Sequence, residues 1–108
     1  MNGMVIGFRS GYKSNTPPVK MVQMRPGDCL LFEADDRGPF SFNDGSSWPS
    51  EGITARHQYG ATQAIADGSA NYIRDDDWRA EVLETNKNSL WCYPNAIDGG
   101  DLVYGHNR

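Results

Sequence analysis

Asp67-Gly68 stands between two short runs in which apolar and polar residues alternate, Ala61-Thr62-Gln63-Ala64-Ile65-Ala66 and Ser69-Ala70-Asn71-Tyr72-Ile73-Arg74. Nothing else in the chain restricts its fold as strongly. A tight reversal needs left-handed backbone angles that most L-residues resist, and Asp-Gly accepts them. The dipeptide therefore predicts a two-residue hairpin with a type I′ turn. In that register Ala66 faces Ser69, Ile65 faces Ala70 and Gln63 faces Tyr72. Ile65, Ala70 and Tyr72 then share the face expected to meet the core, and Ile73 is the apolar exception on the other face. Gln63 is a polar residue in a core-facing slot, so packing there is expected to be looser or hydrogen-bonded.

The rest of the sequence agrees with a strand-and-loop protein. Gly 12 and Pro 6 together make 18 of 108 residues, above the roughly 12% of an average chain. One domain covering residues 1–108 is the natural reading at this length. The expected class is α+β, mainly β: a small antiparallel sheet with long irregular loops and one short helix. Residues 3–8 read as a strand, 19–24 alternate weakly, 25–28 (Arg-Pro-Gly-Asp) are a turn, and 29–34 suit a buried strand. Residues 35–56 are irregular, a length of loop that small domains seldom carry without a use. Phe40, Phe42 and Trp48 interrupt it, either as staples of a cover folded over the core or as an exposed binding surface. Asp75-Asp76-Asp77 reads as the N-cap of a two-turn helix carrying Trp78, Val82 and Leu83 on one face. Residues 90–94 form an aromatic segment, and residues 101–104 suggest a last short strand.

Charge and motif content narrow the function. The net charge of −4 disfavours a nucleic-acid partner. The longest apolar runs, such as residues 29–32, fall far short of the roughly 20 residues that span a bilayer. No charged-then-apolar leader opens the sequence, so as written the chain is expected to be neither exported nor anchored. No phosphate loop, Gly-x-Ser-x-Gly or His-Glu-x-x-His pattern is present, and the chain is read as not an enzyme. No cofactor is expected. Asp98 and Asp101, in an Asp-Gly-Gly-Asp loop, are weak calcium candidates. Cys29 and Cys92 lack metal-ligand spacing; they are either a disulfide closing a long loop, worth about 3–4 kcal/mol in the chain-entropy model, or two unrelated buried thiols. His57, just before the hairpin, reads as a structural histidine that pins a loop to a strand.

The stretch from Arg56-His57 to Asp67-Gly68 has His, nine residues, then Asp-Gly. It resembles the signature of the bacterial prepilin-type H-X9-DG proteins, which are pseudopilin-like chains. Lys87-Asn88-Ser89-Leu90-Trp91-Cys92-Tyr93-Pro94 is similar to their Asn-x-Leu-Trp-Cys-x-Pro segment. Residues 19–34 are similar to the strand pair that precedes the signature. The likeness covers most of residues 1–94. It implies a pilin-like globular domain in which His57, Asp67 and Gly68 are a structural motif. It also implies an extracellular, cell-surface or periplasmic location and a structural role in a filament or secretion apparatus. The partners implied are copies of the chain or other pilin-like subunits. An exported location would favour a Cys29–Cys92 disulfide. The family's cleavage site and long apolar helix do not occur in this sequence, so the resemblance implies the globular part of a longer protein or assembly through another surface. The alternative is a secreted binding module whose 35–56 loop, with Phe40, Phe42 and Trp48, holds a carbohydrate or protein partner.

Overall fold

A computed structural model describes residues 1–3, 19–37 and 47–94. Its frame is a three-stranded antiparallel sheet in the order β1-β2-β3. The strands are β1 Cys29–Phe32, β2 Gly60–Ile65 and β3 Ala70–Arg74. Helix α1, Asp75–Leu83, follows β3 directly. Single 3-10 turns occupy Met21–Gln23, where weak strand alternation was expected, and Pro49–Glu51. The small sheet and helix α1 agree with the α+β class.

The central strand shows why the sheet forms where it does. Alternation along β2 puts Ala61, Gln63 and Ile65 on the buried face. Cys29, Ile53, Trp78 and Leu90 pack with Ala61 and Ile65 into one cluster; Trp48, Trp91 and Cys92 form a second. Trp78 is 1% exposed, donates its Nε1–H to Pro49 O at 3.0 Å and lies 4.6 Å from the Phe32 ring. Val82 touches both clusters, while Leu83, expected on the same face, is 80% exposed.

The hairpin stands at the predicted place, but its loop has three residues rather than two. Gly68 N–H donates to Ile65 O at 3.0 Å, and Ile65 N–H donates to Ser69 O at 2.9 Å. Gly68 has φ +91°, whereas Asp67 has no left-handed angle, so the turn is not type I′. A β-turn closed by a left-handed glycine is the usual three-residue alternative, and Asp-Gly serves it equally well. The Asp67 carboxylate holds the loop by accepting Ser69 N–H at 2.9 Å and Ser69 Oγ–H at 2.6 Å.

The observed partners are Thr62↔Tyr72, Gln63↔Asn71 and Ala64↔Ala70. A slip of one residue turns a strand over. Tyr72 and Ala70 therefore face solvent and Ile73 packs against the core, correcting the expected face of β3. Gln63 is satisfied in part as expected, donating Nε2–H to Asn71 Oδ1 at 2.8 Å.

Two further expectations are corrected. The acids at 75–77 lie inside the first turn of α1, and Arg74 occupies the N-cap without a side-chain bond. Their carboxylates still favour the positive end of the helix, and Asp75 pairs with Arg79 at 2.6 Å. Cys29 and Cys92 are free, buried thiols in different clusters, with no bond between them. The Asn2 carboxamide makes the link instead. Its Nδ2 donates to Cys29 O and Leu90 O, each at 3.0 Å, and lies 3.9 Å from Cys92 Sγ. Burial, helped by the Glu81 carboxylate, pushes the Cys29 thiol up to about 12. Burial, helped by Asp28, pushes Cys92 up to about 12. Both therefore stay protonated and inert at neutral pH.

Candidate functional site

The signature residues occupy the two ends of β2. At its start, His57 Nε2 lies 3.2 Å from each oxygen of the Glu33 carboxylate. Glu33 is the hub of this corner. Its Oε2 accepts Thr62 N–H at 2.7 Å, its own N–H donates to Thr62 O at 3.3 Å, and its carbonyl accepts Thr54 N–H at 2.9 Å. The Thr62 N–H, then the His57 ring, hold the Glu33 carboxyl below its ordinary value, against slight desolvation. His57 thus pins the loop before β2 to the end of β1 with Glu33 as its partner, and Asp67 lies at the far end of the strand.

This pair borders an open groove of about 530 Å³ on the outer sheet face, where Leu31, Thr62, Ala64 and Ala70 lie. An imidazole oriented by a carboxylate is half of a nucleophile-activating arrangement. Here the ring is 51% exposed, and no described hydroxyl or thiol bonds to it. The geometry is that of a clamp.

At the other end, Asp67 and Gly68 shape the hairpin loop. Ser69 hydroxyl and N–H bonds hold the Asp67 carboxyl below its ordinary value. The loop docks on the turn at 25–28: Ala66 N–H donates to Asp28 O at 2.8 Å and Asp67 N–H to Pro26 O at 3.1 Å. Asp28, 2% exposed, is held by Arg25, whose Nε–H donates to it at 3.0 Å.

The third segment of the resemblance ties the helix to the sheet. Asn88 Oδ1 accepts the N–H groups of Leu90 and Trp91 at 2.9 Å, and its Nδ2 donates to Glu81 O at 2.8 Å. Trp91 Nε1–H donates to Val82 O at 3.0 Å. Cys29 N–H donates to Ser89 O at 2.8 Å, which joins the segment to β1.

Trp48 is 5% exposed, with its ring centroid 6.4 Å from that of Trp91. Burial removes it from the binding surface considered for the 35–56 loop; Phe40 and Phe42 lie outside the described residues. The calcium candidates Asp98 and Asp101 lie outside them too, as do residues 101–104. Among the described residues no cluster of three or more His, Cys, Asp or Glu side chains is placed to hold a metal.

Sequence reasoning missed three features. Glu33, 24 residues before His57, carried no local sign of their pairing. Gln58 and Tyr59 adopt left-handed angles, φ 53° and 64°, without being glycine. Tyr59, 78% exposed, lines a cleft of about 340 Å³ with Arg37, Arg74 and Arg79. Arg37 is forked onto Asp35 at 2.7 and 2.8 Å and Arg79 pairs with Asp75, while Arg74 and Asp76, which also line the cleft, have no ion pair with a described residue. A run of Arg and Asp residues was visible, but not their meeting.

No protein-family model, curated protein or solved structure matches the chain.

Proposed function

We propose that this chain is the globular part of a pilin-like or pseudopilin-like structural subunit working outside the cytoplasm. The observation that carries the reading is the job of each signature side chain. His57 clamps the loop to β1 through Glu33, Asp67 bonds within its turn, and Asn88 and Trp91 tie α1 to the sheet. All these groups act as fasteners, which suits a scaffold subunit better than a catalyst. The three segments of the resemblance also pack on one another, through Cys29 N–H to Ser89 O and Ala66 N–H to Asp28 O. The proposed partners are further copies or other pilin-like subunits. Immunogold electron microscopy of source cells, with antibody raised against the purified chain, tests the reading. Label on surface filaments or on the cell envelope is expected; label confined to the cytoplasm would overturn it.

A further inference from the structure

The two outer edges of the sheet differ. The β1 edge is covered: Asn2 N–H donates to Leu30 O at 2.9 Å, Thr54 N–H donates to Glu33 O at 2.9 Å, and Ala34 bridges Ile53. The β3 edge has no such cover among the described residues. Ile65 N–H donates to Ser69 O, and Asp75 N–H donates to Tyr59 O. Hydrogen-bonded and non-bonded pairs alternate along an antiparallel ladder. Ser69, Asn71 and Ile73 therefore point their backbone groups at β2. The N–H and C=O of Ala70 and Tyr72, and the N–H of Arg74, point away from the sheet. Natural edges are blunted by proline, by bulges or by several charges. The β3 edge has no proline, no bulge against β2, and Arg74 as its one charge.

We infer that β3 pairs with β3 of a second copy of this chain, antiparallel about a two-fold axis, to make one continuous sheet. Alternation limits the registers, because outward-facing groups must oppose outward-facing groups. One of them sets Ala70 against Tyr72 of the second copy, with both backbone bonds exchanged, and the two-fold axis between the Asn71 residues. It leaves the Tyr72 ring where the chain already holds it, over β2 with its hydroxyl on Gln58 O, and asks only the outward backbone groups to pair. It also places Arg74 opposite Gly68 of the second copy, beside Asp67. Arg74 is exposed and has no ion pair with a described residue; Asp67 is exposed, and its carboxylate bonds only Ser69 among the described residues. The contact thus sets together two opposite charges, neither of which has an ion pair with a described residue. The register that sets Tyr72 against itself puts Arg74 opposite Ala70 and matches neither. A two-fold contact closes on itself, so this dimer neither requires nor produces a filament and stands apart from the subunit reading.

Sedimentation velocity of the purified chain over a wide concentration range tests the contact. A dimer whose fraction rises with concentration is expected; a monomer at every concentration overturns the inference. Ala70→Pro removes an N–H that β2 does not use, and Arg74→Asp opposes like charges; each should weaken the dimer about tenfold or more. The exchanged variant, Arg74→Asp with Asp67→Arg, should regain most of the association lost in Arg74→Asp. A dimer indifferent to Ala70→Pro and Arg74→Asp, or an exchange that restores nothing, overturns the pairing. Circular dichroism checks each fold, and if Ala70→Pro loses its sheet, the charge exchange decides.

Discussion

A glycine stands at each bend flanking β2, Gly60 at its start and Gly68 in the hairpin loop beyond it, for different reasons. At the hairpin end, Gly68 has φ +91°, and a side-chain carbon added there would meet nothing within 4 Å. Conformation is the constraint, and space is free. At the other end, Gly60 is not left-handed, but an added carbon would sit 2.4 Å from Ile73 O and 2.5 Å from the Tyr72 hydroxyl oxygen. Space is the constraint. Tyr72 lies across Gly60 and donates its hydroxyl to Gln58 O at 2.8 Å, while the left-handed angles fall on Gln58 and Tyr59. The bend into β2 is therefore held by tertiary contacts, and the bend out of it by local chemistry.

That difference ranks the consequences of mutation. Gly60→Ala should be the most damaging, because a backbone oxygen blocks it and the strands must part; a loss of about 3 kcal/mol is expected in chemical denaturation. A loss below that of Gly68→Val would reverse the assignment of space to one end and angle to the other. Gly68→Val should cost about 1–2 kcal/mol, since a branched residue resists positive φ. Tyr72→Phe should cost about 0.5–1 kcal/mol and loosen hydrogen exchange around Gln58 and Tyr59, leaving the hairpin loop unchanged.

Glu33→Gln should be the mildest, under about 1 kcal/mol at neutral pH, as befits a half-exposed pair. Its signature lies in acid. The folded carboxyl titrates below its ordinary 4.5, so the stability it contributes is complete above that value and is lost as the pH falls through the lowered one. The variant should flatten stability against pH in that acid range. An unchanged acid limb would detach Glu33 from the clamp.

The same contrast separates what the sequence made legible from what it hid. Asp67-Gly68 announced a reversal because turn chemistry is written in adjacent residues. The same two residues serve a two-residue and a three-residue loop, so the loop length, and with it the face of β3, was misassigned. Ile73 was the warning: burying it outweighs burying Ala70, and the observed register does so. The sheet, the helix and the buried Trp78 followed from periodicity. The Glu33–His57 clamp, the Asn2 bridge and the left-handed Gln58-Tyr59 pair were hidden, because their causes are residues far away in the chain. The expected disulfide failed similarly: cysteine spacing says nothing of a carboxamide 27 residues before Cys29 and 90 before Cys92.

That carboxamide also governs the order of assembly. The Asn2 side chain is fixed by a carbonyl 88 residues downstream, and contacts of such separation form late, after the local ones. On the ribosome the hairpin can close, and the Asn2 backbone can bond Leu30 O, soon after Arg74 emerges, but the Asn2 carboxamide meets Leu90 O only once that residue has left the exit tunnel. A nascent chain stalled before residue 90 would therefore hold a ribbon already edged at Leu30, with this one latch still open.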